Sequence, residues 1–403
     1  MWADGDDIRW VPVGDVGEVR MGKQLSPASR AAAGQMPYLR VANVHEGRIS
    51  YEDVNHMGFS VGEKKAYGLQ PGDILLNEGQ ESLTMVGRSA IYGSEPGAYC
   101  FQNTLIRFRS NALVLPEYAQ AVFVSWRRSG VFASIAEKTS ISHLGGSRFA
   151  RLQFPLLPLD CQRRIVEALD AVGHVKSAVD ASVAKLRRLR GGLLAELAIY
   201  GRRRLADFVV HGPQNGLYKP AESYGYSGLP IVRINSFSGG PSDLTRGLLR
   251  VTASSVEERR YGLFIGDLII NRVNTPGLVG KATVVSDLRE PTLFESNMMR
   301  CKVDAEKIVP KFLEAWMSTS VVKSHFAGRT KSAVSQASIN GADVLSCPIP
   351  SADMEEQRNF LSRLNAIDAR IDAETAELAK LRTLKQGLAD DLLSGSVRVG
   401  PLA

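Results

Sequence analysis

Gln, Asn, Arg, Lys, Ser and His side chains gather in a few short stretches of this chain, and groups of that kind hydrogen-bond base edges and phosphates. In the first half they are Gln80, Ser82 and Arg88, just after Asn77, and then Lys138, Ser140, Ser142, His143 and Arg148. In the second half they are Arg272, Asn274 and Lys281, and then Arg329, Lys331, Ser335, Gln336 and Asn340. Arg88 and Lys281 each follow a glycine at matching places. Motifs for bond-making chemistry are missing: there is no Asn-Pro-Pro-Tyr-like tetrad, no G-x-x-x-x-G-K-[ST] phosphate loop and no H-E-x-x-H. Asp304-Ala305-Glu306-Lys307 has the residue types of a nuclease cluster but no second acidic partner nearby, so a solvated turn is expected. Asn77 and Asn271 are expected to cap turns, and Arg40 and Arg233, inside strands, to be structural ion-pair partners. Arg187, Arg188, Arg190, Arg202, Arg203 and Arg204 read as the solvated side of a long helix and its end.

Lys and Arg number 49 against 42 Asp and Glu, and the pI of about 9.2 favours a polyanionic partner. With 44% hydrophobic residues over 403 positions, the chain can bury two or three cores. No segment has the uncharged length of about 20 residues that a membrane helix needs, so no membrane partner and a cytoplasmic location are expected. Cys100, Cys161, Cys301 and Cys347 lie far apart with no C-x-x-C pair, which predicts buried thiols and no metal site.

The elements that must position these loops are read from periodicity. Ile165, Leu169, Val172, Lys176, Val179, Val183, Leu186, Arg190, Leu193 and Leu197 alternate spacings of four and three, the seam of a coiled coil. Phe360, Leu364, Ile367, Ile371, Glu374, Leu378, Leu381, Lys385, Leu388 and Leu392 repeat it 195 positions later. So narrow a stripe is not stable alone in water. The apolar members, Ile165, Leu169, Val172, Val183 and Leu186 with Leu364, Ile367, Ile371, Leu378 and Leu381, are therefore expected to pack against the other helix and against partner helices. Strand signals repeat in the same order. Pro37 to Asn43 matches Pro230 to Asn235, Gly72 to Asn77 matches Gly266 to Asn271, and Pro116-Glu117-Tyr118 matches Pro310-Lys311-Phe312. Val11 to Val19 and Gln102 to Arg109 are expected strands, and Lys138 to Arg151 an expected loop. The predicted organisation is a domain over 1–160, a long helix over 161–200, a second domain over 201–353 and a second long helix over 354–395. The fold class is α+β, two repeated α/β domains with an antiparallel helix pair and a pseudo-two-fold. The loops of the two copies differ, as in Gln80 to Thr84 against Val273 to Gly277, and a shared scaffold with unlike loops suggests two specificities.

In this order, twice, several segments resemble the DNA-specificity subunit of type I restriction-modification systems. They are Pro71-Gly72-Asp73-Ile74-Leu75 and Gly266-Asp267-Leu268-Ile269, Gln162-Arg163-Arg164-Ile165-Val166 and Glu356-Gln357-Arg358, and the tail Lys385 to Leu393. The resemblance covers nearly the whole chain. It implies two target recognition domains reading the halves of a gapped double-stranded DNA sequence, with the helices as a ruler. It implies two modification subunits that bind S-adenosylmethionine and methylate adenine, and restriction or translocase subunits using ATP and magnesium. No cofactor is expected in this chain itself. One departure stands out: Cys161 occupies the place where the second copy keeps Glu356. The competing reading is a structural coiled-coil adaptor that does not read sequence.

Overall fold

The computed structural model describes residues 8–80, 83–138, 142–237, 242–275, 277–332, 337–394 and 396–397. The chain divides into two units, one of Met1–Asp180 with Ala376–Ala403 and one of Ala181–Thr375.

The first unit is built on an antiparallel sheet in the order Gly17–Met21, Leu105–Ser110, Ile74–Asn77, Ser89–Ile91. The turn Pro71-Gly72-Asp73, with Gly72 at φ +90°, delivers Ile74-Leu75-Leu76 into the middle of that sheet. Strand alternation then sorts the side chains. Ile74, Leu76, Ile106 and Phe108 point to a core closed by helix Pro116–Arg128 through Tyr118, Ala119, Val122 and Phe123. Leu75, Ala90 and Leu105 point the other way, to Leu39 and Phe101 of a smaller sheet ordered Cys100–Phe101, Gln35–Leu39, Asn55–Gly58.

The second unit repeats this plan. Its sheet runs Val209–Asn215, Met298–Val303, Leu268–Asn271, Ala282–Val284. Leu268 and Ile270 join Phe312 and Trp316 on one face, and Ile269 joins Val232 and Phe294 on the other. One close approach is kept in both copies. A Cβ at Gly87 or Gly280, both at positive φ, would overlap the ring of Phe132 or Phe326. Only glycine lets the turn lie on that ring.

The helices Leu159–Glu196 and Met354–Ser394 are 38 and 41 residues long, about 57 and 62 Å at 1.5 Å per residue. In the first unit Leu169 shares a core with Leu392 and Leu393; in the second Leu193 and Leu197 share one with Phe360 and Leu364. In each unit the start of one helix therefore packs on the end of the other, an antiparallel pair. The central helix starts two residues before position 161 and ends at Glu196, followed by a 3-10 turn over Leu197–Ile199. Ile165, Leu169, Val183, Leu364 and Leu378 are buried, and Val172, Leu186, Ile367, Ile371 and Leu381 half-buried, within the chain itself.

Three local expectations need correction. Val11 to Val19 is not one strand: Pro12 ends Arg9–Pro12, a helical turn Val13–Val16 follows, and Gly17 opens the next strand. Lys138 to Arg151 is not simply a loop, since Ser142–His143 is a strand and Gly146–Ala150 a helical turn. Gln102 to Arg109 begins with a turn, and its strand is Leu105–Ser110, where Arg107 is buried through an ion pair with Glu18 at 2.7 Å. The four cysteines are buried and form no disulfide; burial pushes Cys100 up to about 11 and Cys301 and Cys347 to about 12. Among the described residues no helix is long and apolar enough to cross a membrane.

A buried amide ties each helix to its domain. Gln162 Oε1 accepts from Leu115 N at 2.9 Å, and its Nε2 donates to the carbonyls of Leu113 and Leu157, both at 2.8 Å. Gln357 does the same with Val309 N at 2.8 Å, Ala352 O at 2.9 Å and Lys307 O at 3.3 Å. Truncation strands the three backbone partners of each amide. We expect Gln162→Ala and Gln357→Ala each to cost about 2–4 kcal/mol in denaturant unfolding, with hydrogen-exchange protection lost mainly in the unit that holds the substitution. A loss below about 0.5 kcal/mol for both would remove the amide from this role.

Candidate nucleic-acid interface

Each unit carries a second, three-stranded antiparallel sheet immediately after its central strand. In the first unit it runs Glu137–Lys138, Ser142–His143, Gly79–Gln80; in the second, Lys331–Ser332, Ala337–Ser338, Val273–Asn274. It exists because the strand ending at Asn77 or Asn271 continues past one clamped residue. Glu78 N donates to Thr104 O at 3.0 Å and Glu78 O accepts from Leu144 N at 2.8 Å. Arg272 N donates to Asn297 O at 2.9 Å and Arg272 O accepts from Ile339 N at 3.0 Å. This sheet brings together parts of the two candidate stretches of each half, its strands Gly79–Gln80 and Glu137–Lys138, or Val273–Asn274 and Lys331–Ser332, lying more than fifty positions apart in sequence.

Many of the candidates are engaged within the fold. Lys281 Nζ donates to Ile234 O at 3.0 Å and to Phe237 O, and lies 4.9 Å from the Phe237 ring centre; burial pulls its pKa below the ordinary lysine value. Arg88 makes the matching contact to Val41 O at 3.4 Å, and burial likewise lowers its pKa. The basic residue after the glycine is thus a brace for the neighbouring loop. Arg148 donates to Leu144 O and His143 O, both at 3.0 Å. Arg272 Nη1 reaches Ser296 O at 3.4 Å, and the buried Asn274 accepts from Thr275 N at 2.8 Å. Asn340 caps Gly341–Leu345, accepting from Asp343 N at 3.0 Å.

Three candidates keep exposed faces. Arg329 is exposed, with one contact to His325 O at 3.2 Å, the capping residue Asn340 is exposed, and the His143 ring is 44% exposed. Gln80, Lys138, Ser142 and Lys331 lie in the small sheets by their backbones. Ser82, Ser140, Ser335 and Gln336 lie outside the described residues. Sequence reasoning passed over Glu78, whose Oε2 is 2.8 Å from His143 Nδ1. Aligning the repeats at Asn77 and Asn271 exposes it, because Glu78 then stands opposite Arg272.

Other readings resolve similarly. Asn77 and Asn271 are the fully buried last residues of the central strands, and Asn271 does not cap a turn: its Nδ2 donates to Ile234 O at 3.3 Å and its Oδ1 accepts from none of the described residues. Arg40 pairs with Asp53 at 2.6 Å and Arg233 with Glu295 at 3.1 Å. Asp304 pairs with Lys307 at 2.8 Å in a turn, and no metal-holding cluster occurs among the described residues. Arg187 and Arg188 are solvated, but Arg190 bonds Asp368 at 2.6 Å, and Arg202 and Arg203 lie 4.8 Å over the Trp316 and Phe208 rings. At the helix starts, Glu356 accepts from Asp353 N while Asp353 accepts from Glu356 N, both at 2.8 Å. Pro158 and Cys161 hold the matching places in the first copy and have no carboxylates for such an exchange.

Residues 6–181 match the family model described as the type I restriction modification DNA specificity domain. The EcoKI specificity subunit of Escherichia coli K12 is 22% identical over 393 residues, covering 90% of this chain and 82% of that protein. The MjaVIII specificity subunit of Methanocaldococcus jannaschii is 21% identical over 395 residues, covering 91% and 90%. Among solved structures, a chain of a type I R-M system superposes with a TM-score of 0.62 at 17% identity, covering 97% of this chain and 98% of that one, a likeness of fold. The first repeat thus matches the type I restriction modification DNA specificity domain, and over nearly its whole length the chain is similar in sequence and fold to type I restriction specificity subunits.

Proposed function

We propose that this chain reads a gapped, two-part DNA sequence, one half with each repeat, while its helix pair spaces the two reading heads. Two modification subunits that methylate adenine with S-adenosylmethionine assemble on the helices, restriction or translocase subunits using ATP and magnesium join them, and the complex works in the cytoplasm. The observation that carries this reading is the small sheet, built at the same place on the same scaffold in both copies but with unlike side chains: Glu78 and His143 in one, Arg272 and Ser338 in the other. Carboxylates and imidazoles suit base amino groups, and arginine suits guanine, so the two heads suit different half-sites. The exposed Arg329 serves as a phosphate contact, and Arg88 and Lys281 act by bracing the loops beside the heads.

A gel shift on gapped duplexes, with the modification subunit supplied, tests the reading. Sequence-selective binding is expected; a complex that forms but ignores sequence would leave only the adaptor reading. Replacing Asp15 to Phe154 by the same region of a relative is expected to change one half-site alone, and a change in both would end the modular account.

Spacing is tested by adding one heptad to each helix, after Val179 and after Glu374. The seam is kept and each helix lengthens by about 10 Å, or about three base pairs at roughly 3.4 Å each. DNA turns by about 34° per base pair, so the second half-site rotates by roughly 100° and binding should weaken. The expected result is selection of a longer gap with unchanged half-sites from a library of varied gaps. Retention of the parental gap by a folded, assembled variant would show that the helices are not the ruler.

A further inference from the structure

We propose that His143 is a base-reading side chain of the first repeat and that Glu78 is its positioning residue; the assignment rests on the DNA-reading function above. The histidine is held from several directions. Its backbone pairs with Gly79 and with Glu137 in the small sheet. Its carbonyl accepts from Arg148 Nη2 at 3.0 Å, and its ring Nδ1 lies 2.8 Å from Glu78 Oε2. Glu78 is clamped in turn through its own N–H and carbonyl, and its side chain is 11% exposed against 44% for the imidazole. A surface histidine with no task has no need of a nearly buried acid and a guanidinium behind it. Such fixing lowers the ordering cost of any contact made by the outward edge.

The chemistry of that edge follows from the pairing. A carboxylate only accepts, so in the neutral imidazole the proton sits on Nδ1, and Nε2 is left as an acceptor. Among the described residues nothing bonds to Nε2. An acceptor facing the major groove is matched by an exocyclic amino group, adenine N6 or cytosine N4, and not by guanine, which offers only N7 and O6 acceptors. The second repeat has Ser338 in place of His143 and Arg272 in place of Glu78, so this device belongs to the first half-site alone.

The test is selection from duplexes randomised in both half-sites, using the full chain assembled with its modification subunit, as wild type, His143→Ala, His143→Gln and Glu78→Gln. A wild-type complex that selects no sequence refutes the parent reading. If wild type selects, His143→Ala should lower discrimination about 5- to 100-fold at one base pair of the first half-site. The second half-site, the salt slope and the melting temperature should stay unchanged. His143→Gln, whose amide oxygen is an acceptor, should keep part of the preference, and Glu78→Gln should weaken it at the same pair. The assignment is overturned by unchanged preferences in His143→Ala, or by a guanine requirement at the affected position. An equal loss for all sequences with a salt slope flatter by about one also overturns it, since that marks a phosphate contact.

Discussion

A side-chain amide buried at the root of each long helix is the contact on which the rest of this architecture depends. A helix with so narrow an apolar stripe is marginal on its own, and its direction relative to a globular domain would be loosely set by hydrophobic contact alone. Gln162 and Gln357 remove that freedom, because an amide that must satisfy one N–H and two carbonyls accepts one placement only. The partners are the chain just before the domain helix and the Pro-containing lead into the long helix. Domain helix, lead and long helix therefore meet at one point in each copy, and the central sheets pack against that point through Tyr118 and Phe312.

From this root the duplicated scaffold can vary its polar chemistry without changing its shape. The first copy pairs Arg109 with Asp73 at 2.6 Å, whereas the second leaves Asp267 4.0 Å from Arg300, and burial there raises the Asp267 pKa. Beneath the domain helix, Gln120 donates to Ser89 at 3.0 Å in one copy; Glu314 accepts from Thr283 at 2.9 Å and pairs with Lys311 in the other. Each solution draws its partners from within its own copy, with Gln120 Oε1 alone of these atoms left unbonded among the described residues, and the backbone clamps around Glu78 and Arg272 stay the same while the side chains they present are opposite in charge.

What could be read from sequence followed the physics of each signal. The seam was legible residue by residue: every position of both heptad series, including Lys176, Arg190, Glu374 and Lys385, is buried or half-buried. The repeat was legible because Pro-Gly-Asp turns and apolar strands are local. The candidate surface was less so, because its residues come together through pairing between distant stretches. The contact of Glu78 with His143 spans 65 positions and leaves no periodicity. Lys281 and Arg88 show the converse, since a cation next to glycine offers itself as a DNA contact in sequence but turns inward onto carbonyls that only the folded loop supplies.

The polar members of the seam carry the last step. Arg190 bonds Asp368 at 2.6 Å, and Glu374 Oε1 accepts from Arg370 Nε at 2.6 Å; the nearby Ser182 hydroxyl and Arg370 hold its carboxyl below the usual carboxylate range. Leucine at these places would pack comparably in several registers one heptad apart, because an apolar stripe repeats. A cation and a carboxylate do not repeat, and a slip would bury each against an apolar partner at a cost of several kcal/mol. Such groups contribute uniqueness more than stability. If the helix pair spaces two reading heads, as we propose, a slip of one heptad would change the spacing by about 10 Å, so a pair held in one register is what a fixed gap would require.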